Sequence, residues 1–242
     1  MNKKLSVIIP AYNEEKRIEK TLLDVQNYLG KQPYDYEIVV VDNHSNDHTV
    51  DVVKKLQETS IKTLRVLEQQ VRGKGAAVKK GILEAQGDYV IFMDADNATP
   101  ISEIEKFWPY LQQGYEVVIG SRYVDPSTVK VQQAFYKVFL SRMSNLLIQV
   151  LLIPHIKDTQ AGFKAFQGES AKKIFQNVTI FGWGFDMEVL AIALKLSYRI
   201  KEIPVLWEEH GGSHVPLSAY ITSLMNLFTI KWNSIIGKYS AN

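Results

Sequence analysis

Apolar residues recur along this chain in two alternating rhythms. Short runs at Leu5 to Ile9, Glu37 to Asp42, Leu64 to Leu67, Tyr89 to Met93 and Val117 to Arg122 are rich in β-branched and aromatic side chains and too short for helices. They predict buried strands. Between them, Ile18, Leu22, Val25 and Leu29, then Val50, Val53 and Leu56, then Ile104, Phe107, Trp108 and Leu111 fall at helical spacing. The expected helices run from the turn at Asn13, from Thr49 to Glu58, from the glycines near 73–75 to about Ala85, and from Ile101 to Gln113. Asn13 is the expected N-cap of the first, with Glu14 and Glu15 favouring its first turn. Such strict alternation predicts an α/β fold: a mostly parallel central sheet with helices on both faces, right-handed crossovers, and ligands at the carboxyl ends of the strands.

Beyond Arg122 the pattern changes. Val124 to Gln133 reads as loop, Phe135 to Ile153 as a long apolar-biased helix ended by Pro154, and Asp158 to Phe166 as loop and strand. A helix over Asp186 to Leu196, a strand over Arg199 to Leu206, a flexible polar segment at His210 to His214 and a last helix from about Pro216 to Ile236 complete the reading. One domain over 1–242 is expected, with parts at 1–122, 123–215 and 216–242. No stretch supplies about 18 to 20 uninterrupted apolar residues, so no transmembrane helix is expected. The apolar start at Leu5 is cut by Pro10 and the polar Asn13-Glu14-Glu15, which reads as a first strand of a cytosolic chain rather than a signal sequence.

Composition narrows the chemistry. With 28 basic and 26 acidic residues in 242 the net charge is +2, so nucleic-acid binding through bulk charge is not expected and phosphate recognition must be local. There is no cysteine, which excludes disulfides, thiolate zinc sites and cysteine nucleophiles. None of the five histidines sits in a His-Glu-x-x-His pair, so no zinc site is expected.

The most informative stretch is Asp94-Ala95-Asp96 at the end of the Tyr89 strand. In an extended backbone residues i and i+2 face the same way, and Ala95 leaves room for a ligand. Two carboxylates about 4 Å apart repel by roughly 1 kcal/mol in water and roughly 4 at an effective dielectric of 20, which favours a bound cation or protonation of one acid. Mg2+ or Mn2+ with a substrate phosphate fits such a pair, though acids capping the next helix would give the same sequence. Arg72-Gly73-Lys74-Gly75 before a helix offers backbone N–H groups to a diphosphate or is a simple helix entry; it has neither P-loop nor dinucleotide-fingerprint spacing. Asp42 at a strand end accepts from a base N–H or caps the following helix. Asp158, Asp186 and Glu188 are the remaining acids suited to catalysis, or ordinary caps and solvated charges. Arg122, Lys137, Arg142 and Lys164 are cations suited to an acceptor phosphate, or ordinary solvated charges.

These segments occur together and in order. Val7-Ile8-Ile9-Pro10-Ala11-Tyr12-Asn13-Glu14, Val40-Val41-Asp42-Asn43-His44-Ser45-Asn46-Asp47, Arg72-Gly73-Lys74-Gly75, Met93-Asp94-Ala95-Asp96 and Gly120-Ser121-Arg122 resemble the family 2 inverting glycosyltransferases with the A-type nucleotide-sugar fold. Asp158-Thr159-Gln160-Ala161-Gly162-Phe163-Lys164 and Trp183 to Leu190 resemble the dolichyl-phosphate glucosyltransferase branch, next to the polyprenyl-phosphate mannosyltransferases. By that likeness Pro10, Ala11, Tyr12, Glu14, Asp42 and Ser45 would hold the uridine side of a donor, and Lys74 and Gly75 its ribose and diphosphate. Asp94 and Asp96, flanking Ala95, would hold the metal. Asp158 and Asp186 would serve catalysis, and Arg122, Lys137, Arg142 and Lys164 would face a lipid phosphate. The activity implied is metal-dependent transfer of a hexose, glucose first, from a uridine-diphosphate donor to a polyprenyl phosphate with inversion. The alternatives are mannosyl transfer from GDP-mannose, a saccharide hydroxyl as acceptor, and a nucleotide-sugar-binding regulator without turnover. The implied setting is cytoplasmic, peripheral at the inner face of a membrane, with Trp232 and Tyr239 near the headgroups; a homo-oligomer is compatible with it. His44 and Ala161 depart from the family pattern without removing a charged group.

Overall fold

The computed structural model describes residues 4–125, 146–208 and 217–239, with backbone only over 217–221. Lys137, Arg142, most of the helix expected over 135–153 and the 210–214 segment lie outside those residues. Seven described strands, β1 (Lys4–Ala11), β2 (Asp35–Asp42), β3 (Leu64–Glu68), β4 (Tyr89–Met93), β5 (Val117–Ser121), β6 (Phe163–Gln167) and β7 (Ile200–Pro204), form one sheet in the order β3-β2-β1-β4-β6-β5-β7. Neighbours are parallel except for β6, which runs antiparallel between β4 and β5.

Alternate residues of each strand enter opposite cores, which is why the strands read as unbroken apolar runs. Ile8, Val39, Val41 and Phe92 face one layer, built from α3 (Lys74–Leu83), the helical residues 146–151 (α5), α6 (Gly168–Gln176), α7 (Phe185–Lys195) and α8 (Leu217–Ile235). Val7, Ile9, Val40 and Ile91 face the other, built from α1 (Ile18–Leu29), α2 (Thr49–Thr59), a 3-10 turn at Ile101–Lys106 and α4 (Trp108–Gln112). The amino ends of β1, β2 and β3 meet at buried Glu37. Its Oε1 accepts from Ser6 Oγ at 2.6 Å and the Gln86 N–H at 2.7 Å, and its Oε2 accepts from Arg65 Nη1 at 2.8 Å.

The local departures from expectation have physical causes. Asn13 is not an N-cap: it sits at φ 55°, and α1 starts later, with Arg17 in the cap position and no side-chain cap. β1 continues through Pro10, where the pairing to β4 has ended at Ile8 and only β2 remains alongside, so no ladder bond is lost to the missing N–H. The helix expected over Ile101 to Gln113 breaks at Phe107, because Pro109 cannot continue it and instead stands at the start of α4. Helix α6 was not anticipated; its buried Ala171, Ile174 and Phe175 fall at helical spacing.

Candidate active site at the carboxyl edge of the sheet

The carboxyl ends of β1, β2, β4 and β5 lie on one edge, and antiparallel β6 brings its amino-terminal approach, residues 158–162, to the same edge. After β1 and β2 the two loops are laced together. Ser45 Oγ accepts from the Asn13 N–H at 2.9 Å, Asn13 Oδ1 accepts from the Asn46 N–H at 2.8 Å, and Thr49 Oγ1 accepts from the Glu14 N–H at 2.7 Å. Tyr12 stands 54% exposed beside them, open to stacking. The Glu14 carboxylate is held by Arg17, with Nη2 to Oε1 at 3.1 Å. Burial raises the Glu14 pKa against the pull of Arg17, and nearby Asp96 and Asp94 add to the rise. Asp42 is buried: Oδ2 accepts from the Ser45 N–H at 3.3 Å, while Oδ1 has no hydrogen-bond partner. A buried acceptor without a donor is costly, so a ligand N–H or O–H that reached Asp42 Oδ1 would be favoured.

Asn43, which the sequence did not single out, organises the next loop. Its side chain accepts from the Gly73 N–H at 2.6 Å and donates to the Val71 carbonyl at 2.7 Å, which delivers Lys74 to the edge as the first residue of α3. The backbone cradle expected at Gly75 is not open. The Phe181 carbonyl accepts from the Gly75 N–H at 2.8 Å and the Ala76 N–H at 3.4 Å, and a Cβ on Gly75 would lie 2.6 Å from that of Phe185. Gly75 therefore permits close packing, and the group offered to an anion is the Lys74 ammonium.

Lys74 Nζ lies 2.5 Å from Asp94 Oδ1 and 5.7 Å from the Trp183 ring centre. Asp94 and Asp96 are gathered by a turn, with the Asn97 N–H donating to the Asp94 carbonyl at 3.3 Å and Asn97 at φ 56°, rather than by strand pleating. Ala95 is buried, its carbonyl accepting from Thr21 Oγ1 at 2.7 Å. Asp96 Oδ1 accepts from the Ala98 N–H at 3.0 Å. Its pKa is raised by burial first and by Asp94 second, against the smaller pull of Arg17 and Lys74. Gly162 closes the other side: a Cβ there would lie 2.0 Å from Asp94 Oδ2.

The remaining charges are paired. Arg122 grips fully buried Asp158 with Nε to Oδ2 and Nη2 to Oδ1, both at 2.8 Å, and the Arg122 N–H donates to Oδ2 at 3.1 Å. Burial alone would lift the Asp158 pKa, but Arg122 outweighs it and the net shift is downward. The guanidinium lies 5.4 Å from the Tyr123 ring centre and 5.6 Å from that of Trp207, beside a cleft that Asp94, Gln160, Gly162 and Trp207 also line. Lys164, expected to face an acceptor, is fully buried, with Nζ at 2.5 Å from both Asp186 Oδ1 and the Ala161 carbonyl. Burial dominates that pair, lowering the Lys164 pKa and raising that of Asp186. Glu188 is also fully buried, accepting from the Thr179 and Ile180 N–H groups and from Tyr239 OH, so Tyr239 is inside the molecule and not at a headgroup.

Among the described residues no group of three or more histidine and acidic side chains forms a protein cage for a metal. Two carboxylates at the open edge of the sheet nevertheless suit Mg2+ or Mn2+, which take few protein oxygens and share the rest with substrate phosphate and water.

Comparison with known proteins bears on the family and the fold. The profile of glycosyl transferase family 2 matches residues 6–175. Dolichyl-phosphate beta-glucosyltransferase of Dictyostelium discoideum is 34% identical over 96% of this chain and 75% of its own length, and that of Saccharomyces cerevisiae is 34% identical over 98% and 77%. Among solved structures, glucosyl-3-phosphoglycerate synthase from Mycobacterium tuberculosis in complex with Mn2+, UDP-glucose and phosphoglyceric acid superposes with a TM-score of 0.70, covering 95% of this chain and 80% of its own at 19% identity, a likeness of fold. The family profile and relatives above 30% identity agree with a mostly parallel sheet of this kind, and the chain belongs to glycosyl transferase family 2 as a glycosyltransferase.

Proposed function

We propose that this enzyme transfers glucose from UDP-glucose to a polyprenyl phosphate of the dolichyl type, with inversion and with Mg2+ or Mn2+. The observation that carries the reading is the convergence of Asp42, Lys74, Asp94 and Asp96 on one edge, in a chain similar over nearly its whole length to dolichyl-phosphate beta-glucosyltransferases. The unpartnered Asp42 Oδ1 takes the uracil N–H, and Tyr12 packs on the base. Lys74 meets the diphosphate. Asp94 and Asp96 would hold the metal, which offsets the charge that builds on the departing diphosphate.

The acceptor follows from what the acids are doing. A hydroxyl acceptor loses a proton as it attacks and benefits from a base within reach, worth about 10² to 10⁴ in rate. Asp158 is already engaged by Arg122 and Asp186 by buried Lys164, which leaves neither poised as that base. A phosphate oxygen needs none. It attacks the anomeric carbon, the bond to the UDP oxygen breaks with its electron pair leaving on UDP, and no proton moves. Asp158 then acts as a positioning residue, holding the Arg122 guanidinium at the cleft as the charge an acceptor phosphate meets. Lys164 and Asp186 serve as the buried floor beneath Lys74 and Asp94.

The test is transfer of labelled glucose from UDP-glucose to polyprenyl phosphate, run beside GDP-mannose as donor and free saccharides as acceptors. Glucosyl lipid is expected only with UDP-glucose and a divalent ion, and Asp96→Asn should abolish it with the fold intact. Transfer to saccharides but not lipid, or full activity under saturating chelator, overturns the reading.

A further inference from the structure

The Asp94 carboxylate, a metal ligand in the reading proposed above, already carries a cation. Lys74 Nζ sits 2.5 Å from Oδ1, in direct charge-assisted contact. The Asp94 side chain is part-exposed at the cleft, and Oδ2 lies against Gly162, where a Cβ would be 2.0 Å away, so the face that Lys74 covers through Oδ1 is the one an ion from the cleft would meet. Lys74 cannot withdraw by moving its backbone, because the next two N–H groups are anchored on the Phe181 carbonyl. Only the side chain is free to leave, and the charge of Asp186 acts on Lys74 next after that of Asp94.

From this we infer that Lys74 occupies the cation seat of the nucleotide-free enzyme. A divalent ion and the Lys74 ammonium exclude each other at Asp94, and the metal is taken up together with the diphosphate that gives Lys74 a new anionic partner. The inference rests on the metal-dependent reading of the site. Its consequence is a built-in coupling: two cations a few ångströms apart repel, so metal alone binds weakly, whereas a diphosphate draws Lys74 off Asp94 and completes the oxygen set of the ion. By linkage the metal tightens the nucleotide by the same factor as the nucleotide tightens the metal.

The test measures free Mn2+ by electron paramagnetic resonance against the purified full chain, with no turnover, in the presence and absence of UDP. The wild type is expected to bind Mn2+ weakly alone and more tightly with UDP. Lys74→Met should bind Mn2+ alone about tenfold more tightly than wild type and lose much of the UDP enhancement, within the usual 5- to 150-fold range of site coupling. Lys74→Gln should do the same if methionine disturbs the contact with Trp183, and Lys74→Arg should stay weak. Adding Asp94→Asn to Lys74→Met should erase the gain. If the wild type binds Mn2+ with UDP but neither neutral variant gains affinity without it, Lys74 is not in the seat, although the metal reading stands. If no variant and no wild-type complex binds Mn2+, both fall.

Discussion

Asp42 and Gly162 show how single residues shape this site, one through an atom left without a partner and one through atoms it lacks. Burying an acceptor without a donor costs roughly 1 to 3 kcal/mol, so Asp42 Oδ1 has that much to gain from a ligand donor. Asp42→Ala is therefore expected to raise the KM for UDP-glucose by about 10- to 100-fold with kcat at saturating donor nearly unchanged, and steady-state kinetics would read it. An unchanged KM removes the uridine assignment. Gly162→Ala acts on the other acid. Its methyl would strike Asp94 Oδ2, so the carboxylate or the loop must shift. A loss of at least about tenfold in kcat/KM is expected, because a displacement of about 1 Å at a reacting site can cost 10²-fold. The melting temperature should move little, since Asp94 lies at the open edge. Activity equal to wild type would mean Asp94 does not need its present position.

At the scale of elements, Glu37 joins β1, β2, β3 and the turn before β4 through one buried carboxylate. Burial by itself would raise its pKa, yet Ser6, Arg65 and the Gln86 N–H together bring the net shift below the ordinary glutamate value. A lowered folded-state pKa contributes stability above the unfolded value near 4.3, lost as pH falls through the folded one. Glu37→Gln should thus destabilise the protein by about 2 kcal/mol at pH 7, and the difference should shrink below about pH 4. Urea midpoints at several pH values check this; a gap that widens in acid would reverse the sign. The elements themselves were largely legible in the sequence, because five short apolar runs between helical spacings carry their own signature. The direction of β6 was not: Phe163, Ala165 and Phe166 are buried alike in a parallel or antiparallel strand, and only the pairing with Tyr89 to Met93 decides. That reversal brings Asp158, Gln160 and Gly162 to the site. Nor was the pairing of Arg122 with Asp158 or of Lys164 with Asp186 visible, since charge pairing across 36 and 22 residues leaves no local pattern.

At the scale of the whole molecule, α8 and the residues after it carry an outward side that the core does not cover. Leu227 and Ile230 are buried, but Met225, Phe228, Trp232, Ile235 and Ile236 are each more than half exposed. No helix among the described residues is long and apolar enough to cross a membrane. The exposed charges at this end are Lys231 and Lys238, and residues 217–242 contain no acid at all. An apolar stripe whose own segment carries lysines and no acid suits the surface of an anionic bilayer, where aromatic rings reach the acyl boundary and lysines meet headgroups. The lipid-phosphate reading thus makes a demand on a face remote in sequence from Asp94. Burying a large apolar side chain is worth about 1.5 to 3 kcal/mol, so removing two of them should cost at least tenfold in surface affinity. Phe228→Ser/Trp232→Ser is expected to raise the KM for polyprenyl phosphate presented in anionic vesicles by about that factor. The KM for UDP-glucose, and turnover of a short-chain prenyl phosphate in free solution, should stay near wild type. If the double variant slows the soluble acceptor as much as the vesicle-bound one, the helix supports the catalytic fold rather than a lipid surface; if it changes neither, the exposed face has no part in meeting the acceptor.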